Sequence, residues 1–300
     1  MPFTPSAINY AVQYGRELAN AYPYLSYFGD IWGSQNSQRF RPINANSIMI
    51  PSMEVGGAHA VNRDAMNGQF TRKFNLTWEP KVMTMYREWD TILDEMDIVE
   101  TNEVATIANI TRTFNEFQKI PEMDAYMAKQ LGSFATAAST ADSTALTAAN
   151  ILSKWDDYLE AMTNARVNRD RVICYVTPAT YKLLKQAAGI TRFLEVANGI
   201  QAVDRNIAKL DGVRIVEVPS DLMQSAYDFT DGFVATAAAK QINLIMVDPL
   251  AVIAPVVYEV SMISPPSAAT KGKNVYYESY YYDVFNLSKR TAGIRANISA

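Results

Sequence analysis

The stretch from Glu88 to Phe134 constrains the fold more than any other part of the chain. A strand-rich first third gives way there to the acidic run Glu88-Trp89-Asp90-Thr91-Ile92-Leu93-Asp94-Glu95-Met96-Asp97, and then to apolar residues at helical spacing. Val104, Ile107, Ile110, Phe114 and Phe117 recur at intervals of three and four, which puts one apolar stripe on a helix. Ile120-Pro121-Glu122-Met123-Asp124-Ala125-Tyr126 interrupts the stripe, and a second helical run follows through Met127, Leu131 and Phe134. Pro121 lacks a backbone donor and crowds the preceding turn, so a kinked helix or two separate helices are expected. A helix of about 24 residues runs roughly 36 Å, which suits a strut more than a pocket wall. The acidic run fits the start of that helix, where the dipole and capping favour negative charge.

A chain of 300 residues can bury the core of one large or two medium domains. Its 49% apolar and 19% charged residues are those of a globular chain and exclude a disordered one. With a net charge of −4 and no basic run, strong direct nucleic-acid binding is not expected, although an acidic balance suits a wall that must not trap a polyanion. The single cysteine, Cys174, excludes an internal disulfide framework and a multi-cysteine metal site, and the apolar run Val172 to Val176 around it reads as a buried, unreactive thiol. No secretory signal is visible at the start, and no apolar run nears the roughly 20 residues that span a bilayer. Synthesis in the cytoplasm with no membrane partner is the expectation.

Residues 1 to about 33 read as an aromatic arm, with Ser6 to Ala19 as a candidate helix. From Arg39 to about Arg87 the pattern is β: Asn46 to Met53 is one strand, Gly56-Gly57-Ala58-His59 and Asn67-Gly68 supply turn chemistry, and Phe70 to Trp78 alternates with period two. The pair makes a hairpin that projects from the body, and because a lone two-stranded ribbon is marginal in water, a neighbouring subunit is expected to support it. Thr136 to Thr147 reads as a loop. An amphipathic helix carrying Ile151, Trp155, Leu159 and Met162 follows, then strands at Arg171–Val176, Val213–Val218 and Ile242–Val247, with a helix opened by Thr177-Pro178. The last fifty residues return to β, with five tyrosines in seven positions from Tyr276 to Tyr282 suiting a strand packed on both faces.

The usual enzymatic constellations are missing. His59 is the only histidine and lies in a glycine-rich loop, so zinc sites and a Ser-His-Asp triad have little to draw on, and Cys174 has no base. Neither phosphate-cradling glycine motif occurs, and Lys271-Gly272-Lys273 lacks the upstream glycine. Asp90, Asp94, Glu95 and Asp97, and Asp156 with Asp157, are carboxylate groups that read as helix-start and solvated-face residues before they read as a catalytic pair. No cofactor, metal or catalytic residue is assigned. Arg39, Arg41, Arg63, Arg72, Lys73 and Lys81 near the hairpin form either a solubilising edge or one half of an intersubunit contact. The other half would be Asp90, Asp94 and Asp97 of a neighbour, fixing register.

Trp89-Asp90-Thr91-Ile92-Leu93-Asp94-Glu95-Met96-Asp97-Ile98-Val99-Glu100-Thr101 and Ile120 to Tyr126 together resemble the major capsid proteins of tailed bacteriophages of the Hong Kong 97 type. Arg171 to Pro178 leading into Tyr181-Lys182-Leu183-Leu184, Val216 to Met223, and Tyr281-Tyr282-Asp283-Val284-Phe285 carry the likeness through the rest of the chain. The resemblance implies an α+β fold: an N-terminal arm at 1–33, an extended hairpin loop at 34–88, a peripheral domain with a spine helix at 89–140 and 251–300, and an axial domain at 141–250. It further implies a non-enzymatic protein that assembles with itself through pentamers and hexamers into an icosahedral head around double-stranded DNA. The portal, and a scaffold that would be a separate protein because no charged helical segment precedes the arm, are the other expected partners. An encapsulin-like compartment shell is the alternative. A carboxylate-dependent hydrolase using Asp90 or Asp94 and a tail-tube protein are remoter ones.

Overall fold

The computed structural model describes residues 26–34, 41–44, 47–58, 72–96, 106–187, 194–197, 200–203, 207–268 and 270–300. The expected helix at Ser6–Ala19, and Arg39, His59, Arg63, Asp97 and Val104, lie outside the described residues.

A single helical turn, α1 (Gly29–Trp32), precedes a three-stranded sheet of β1 (Arg41–Asn44), β2 (Ser47–Val55) and β3 (Phe74–Val82). β2 and β3 form the expected long ribbon, paired from Ser47↔Val82 to Val55↔Phe74. β3 begins four residues later than the alternation from Phe70 suggests and runs through Pro80, which an edge strand tolerates.

Only the end of the acidic run is helical, at Glu95 and Met96, with Asp94 accepting the Met96 amide at 3.1 Å. β4 (Met85–Leu93) takes up most of it, because Met85, Arg87, Trp89, Thr91 and Leu93 alternate with Tyr86, Glu88, Asp90 and Ile92 and the first set turns inward. An inward arginine hides this period-two signal.

The long helix follows as α2 (Ile107–Phe114), a π turn (Asn115–Lys119) and α3 (Ile120–Ala137), of 8, 5 and 18 residues. Thr106 caps it by accepting the amide of Asn109 at 3.3 Å. Pro121 neither separates two helices nor ends one. The turn ahead of it widens to the π form, closed by Ile120 N–H to the Asn115 carbonyl, and this takes up the crowding that a proline ring imposes one turn back. Thr136 and Ala137 belong to this helix rather than to the expected loop.

The middle of the chain contributes β5 (Ala141–Asp142), α4 (Ile151–Asn164), β6 (Ile173–Val176), α5 (Pro178–Gln186), β7 (Leu194–Ala197), β8 (Ile200–Val203), β9 (Lys209–Leu210), β10 (Val213–Glu217), β11 (Tyr227–Asp228), β12 (Val234–Ala235) and β13 (Ile242–Val247). The remaining strands are β14 (Val252–Ile253), β15 (Val256–Ser264), β16 (Asn274–Tyr282), β17 (Phe285–Asn286) and β18 (Ile294–Ile298). A six-stranded mixed sheet, ordered β5-β18-β13-β6-β10-β9, is the centre of the molecule. β6 and β10 run parallel across the α5 connection, and Asp211-Gly212, both at positive φ, form the two-residue turn between β9 and β10. β18 lies here, beside β13 and β5, so the end of the chain completes the central sheet.

Both faces of this sheet are covered, which is why β6 and β13 read as unbroken apolar runs. Cys174, Val176, Leu244 and Met246 face α4 and α5, packing on Trp155, Leu159, Met162 and Leu184. Ile173, Tyr175, Ile245 and Val247 face α3 and the arm root, packing with Ala128, Leu131, Phe28 and Ile31. Gly132 of α3 permits the close approach: a Cβ there would come within 2.8 Å of Ile242 Cδ1.

The third sheet, β15-β16-β4, places the tyrosine-rich strand in the centre. Its inner face packs on the long helix, where Phe114 stacks on Trp89 at 4.1 Å and Trp89 meets Tyr276 at 5.6 Å.

Candidate assembly surfaces

The segment Ile120–Tyr126 holds three other parts of the chain onto α3. At 100° per residue, Glu122 and Tyr126 share one side of the helix and Asp124 points to the other. Glu122 is buried and receives both Arg87 Nε at 2.7 Å and Nη2 at 2.8 Å, a bidentate pair, while Tyr282 donates its hydroxyl at 2.8 Å. Arg87 also donates Nη1 to the Phe229 carbonyl at 2.6 Å. Burial pushes the Glu122 carboxyl up, and Arg87 and Tyr282 oppose that shift. Tyr126 donates to Asp283 at 2.7 Å, and Asp283 accepts the backbone amides of Thr84 at 2.8 Å and Val284 at 2.7 Å, so one carboxylate joins the base of the ribbon to the helix. On the opposite side, Asp124 accepts Ser26 Oγ at 3.1 Å and Tyr27 N–H at 2.7 Å. Just ahead of α3, Lys119 pairs with Glu278 and lies over the Tyr280 ring. The clasp is thus built of buried acids with named donors, and it has no free nucleophile or base.

The ribbon is different. Ile48 and Ile50 on one face are buried with Met83 and Ile253 at its base. The other face presents Val82, Pro51 with Trp78, Met53 with Leu76, and Val55 with Phe74, in successive cross-strand pairs. All of these are exposed, and apart from Pro51 they range from 42% at Leu76 to 71% at Val55. A row of large apolar side chains on a two-stranded ribbon is a surface that soluble monomers seldom present.

The outer face of β15-β16-β4 is a second such surface. Tyr86 and Ile92 of β4 and Val260 and Met262 of β15 are exposed around half-buried Tyr277 and Tyr281 of β16. Tyr86 packs on Tyr281 at 4.6 Å, and Glu88 and Asp90 sit on the same face.

The candidate contact residues fall around these two surfaces. Arg72 and Lys73 lie beside the ribbon where β3 begins; Arg72 covers the Phe74 ring at 4.4 Å and donates to the Phe74 carbonyl at 3.1 Å. Lys81 approaches Glu79 at 3.8 Å. Arg41 has its backbone in β1. Asp90 is exposed opposite Tyr277, and Asp94 accepts the Met96 amide at 3.1 Å and lies 3.9 Å from Lys273 of its own chain. Sequence reasoning did not single out Arg87, Glu122, Asp124, Tyr126, Lys119, Glu278 or Asp283. The signal available was three polar residues at every second position inside the apolar second half of a helix.

Asp156 and Asp157 are exposed on α4, and among the described residues no group of His, Cys, Asp and Glu could hold a metal ion. Burial pushes the Cys174 thiol well up, as expected of an inert side chain. Among the described residues no helix is long and apolar enough to cross a membrane.

No family model matches the sequence, and no curated protein matches it. Solved structures do match along nearly the whole chain. The capsid structure of the cyanophage P-SCSP1u is similar with a TM-score of 0.69 at 12% identity, over 100% of this chain and 99% of that one. The mature capsid of bacteriophage PhiM1 gives 0.67 at 13% identity, over 98% and 92%. A structure from Mycobacterium phage Che8 gives 0.64 at 15% identity, over 96% of each chain. The chain therefore has the fold of phage capsid proteins, a mixture of helices and sheets as the resemblance implied.

Proposed function

We propose that this chain is the major capsid protein of a tailed double-stranded DNA bacteriophage, a non-enzymatic shell subunit that assembles with itself. The uncovered apolar face of the ribbon carries this reading. Among the described residues the face is long and, apart from Arg72 over Phe74, uncovered, so it calls for a second copy to cover it. The outer face of β15-β16-β4 is the matching surface: two twisted sheets pack face to face, and Arg72 and Lys73 near the ribbon tip complement Glu88 and Asp90. Donor and acceptor faces differ, so the contact is head to tail, and rotations that close it give rings. Pentamers and hexamers are the rings a closed shell needs.

In this reading the arm (1–33) and loop (34–88) reach neighbours beyond the parts that anchor them to their own subunit, residues 26–33 and the ribbon base at Ile48, Ile50 and Met83. Residues 89–140 and 251–300 form the peripheral part, and 141–250 form the axial part, with β18 lent to its sheet. The location is the virion, after synthesis in the host cytoplasm. Portal and scaffold are separate partners, and the DNA is enclosed without sequence-specific contact. An acidic chain suits that role. Electron microscopy of purified particles, combined with nuclease treatment and nucleic-acid staining of the contents, tests the reading. Icosahedral shells that package DNA are expected in the infected cell. Particles holding a cargo enzyme would replace the reading with a protein compartment, and a chain that stays monomeric at high concentration would end it.

A further inference from the structure

The long helix is covered unevenly. Ten residues of α3 are buried, whereas none of α2 or of the π turn is, although Ile107, Ile110 and Phe114 form an apolar stripe. Beside α2 the sheet ends in β15, an edge strand whose second side is unpaired among the described residues. An open groove of about 670 Å³ lies between them, with Ile107 and Thr111 on one wall and Ile263 and Tyr276 on the other. Ile263, opposite Tyr276 in register, is 61% exposed on the sheet's inner face. Asn115 Oδ1, at the same groove, is buried and accepts no hydrogen bond among the described residues. Arg112 and Glu116 are the only charged residues of the lining. A free strand edge offers backbone donors and acceptors, and the apolar walls offer side-chain sites, so an extended, uncharged peptide fits this surface.

We propose that residues 2–15 of the same chain fill this groove before assembly, added to β15 as a further strand. Of the longer stretches outside the described residues, 59–71 carries Arg63 and Asp64 and 97–105 carries Asp97, Glu100 and Glu103, whereas 2–15 carries no charge. Ile8, Tyr10, Val12 and Tyr14 alternate with Asn9, Ala11 and Gln13, so as a strand the stretch has one apolar face. An extended segment also brings the donors that Asn115 Oδ1 lacks, and a helix at Ser6–Ala19 would leave the edge of β15 bare. The reach is sufficient. Ser26 is held by Asp124 on α3, and from Asp124 to Thr111 the long helix runs about 20 Å. The chain from Tyr14 to Ser26 spans up to about 40 Å when extended. Tethering therefore gives the groove a high local concentration of its ligand. Held in this way, the arm of an unassembled chain is withheld from neighbours until assembly draws it out.

Site-directed photocrosslinking on the full, unassembled chain tests this, and needs no shell to form. Cys174 is fully buried, so Ile263→Cys places one reachable thiol in the groove for a benzophenone maleimide. Irradiation of dilute protein and mass spectrometry should map the crosslinks to residues 2–15. A mixture of plain and isotope-labelled chains should give no crosslink that joins the two. Ile92→Cys, equally exposed on the outer face of the sheet, should leave the arm unmarked. Tyr10→Ser combined with Val12→Ser should lower the yield from Ile263→Cys about tenfold, the worth of burying one such side chain. Crosslinks to another segment or between chains, no crosslink at all, an arm marked equally from Ile92→Cys, or an undiminished yield in the arm variant would overturn the proposal.

Discussion

The clasp around α3 and the ribbon use opposite solutions to the same problem, that of holding an extended piece of chain in place. At the clasp, buried carboxylates meet donors from the chain itself: Arg87 and Tyr282 at Glu122, Tyr126 and two amides at Asp283, Ser26 and Tyr27 at Asp124. The ribbon has its base packed by Ile48 and Ile50, while its outer face, from Val82 to Phe74, is exposed among the described residues, with Arg72 over the Phe74 ring at its end. One region is finished within a single molecule and the other is not. Interactions made within the chain set the stability of the body, and interactions between chains set the fate of the ribbon. Mutations in the two regions should therefore move different observables.

The largest expected effect is on assembly. Replacing Leu76 and Trp78 by Asp should abolish shell formation in sedimentation and electron microscopy. The unassembled chain should keep its urea midpoint to within about 0.5 kcal/mol, as exposed positions do. A large loss of monomer stability would break the comparison, because the face would then be covered from within. Next comes Arg87→Ala, which leaves Glu122 as a buried charge without its counterion and should cost about 3 kcal/mol in urea unfolding. Arg87→Lys should recover only part, since an ammonium cannot reproduce the bidentate fork.

The unequal legibility of the two regions in the sequence has the same physical root. β6 and β13 are plain because both faces are buried, Thr177-Pro178 opens α5 as a cap and first-turn proline, and Asp211-Gly212 marks a two-residue turn. These signals are local. β4 was obscured because its inward set includes Arg87, whose reason for being inside is Glu122 on another element. The clasp joins residues 157 positions apart at Tyr126 and Asp283 and 160 apart at Glu122 and Tyr282, and no spacing rule links such positions. The π turn leaves no trace beyond Pro121 itself. On the ribbon, the alternation of Phe74, Leu76 and Trp78 shows that one face wants cover, but periodicity is silent on which molecule provides it. The proposed pairing of Arg72 and Lys73 with Asp90 across subunits has the same character.

Smaller effects sharpen the picture of a self-sufficient body. Tyr126→Phe removes a donor to Asp283, which keeps Thr84 and Val284, and should cost about 1.5 kcal/mol without changing particle yield. Asp142 gives the body an acid dependence. Slight burial raises its carboxyl, but hydrogen bonds from Thr144, Lys154 and Tyr158 outweigh this and hold it below the usual range. A carboxyl lowered in the folded state stabilises fully above its unfolded value near about 3.9. That stabilisation is lost as pH falls through the folded value. Thermal melts of the wild-type chain should therefore steepen their decline below about pH 4, and Asp142→Asn should flatten it while lowering stability at neutral pH.

The smallest effect is the most discriminating. The ribbon is tied to the end of the chain by Lys289, which pairs with Glu54 at 3.0 Å and donates to the Met53 carbonyl at 3.1 Å, with Ser288 donating to Glu79 at 2.8 Å nearby. These contacts are exposed, so water and salt screen them, and such pairs are usually worth under about 0.5 kcal/mol. Lys289→Ala should therefore leave the urea midpoint unchanged, and should raise hydrogen exchange only along Met53 to Val55. Assembly should survive, since the apolar face on the opposite side of the ribbon is untouched. If this single substitution instead prevented shells from forming, the intramolecular tether would be what positions the ribbon for its partner. The two regions would then be coupled through Lys289 rather than independent, and the body would be setting the geometry of the contact it does not itself make.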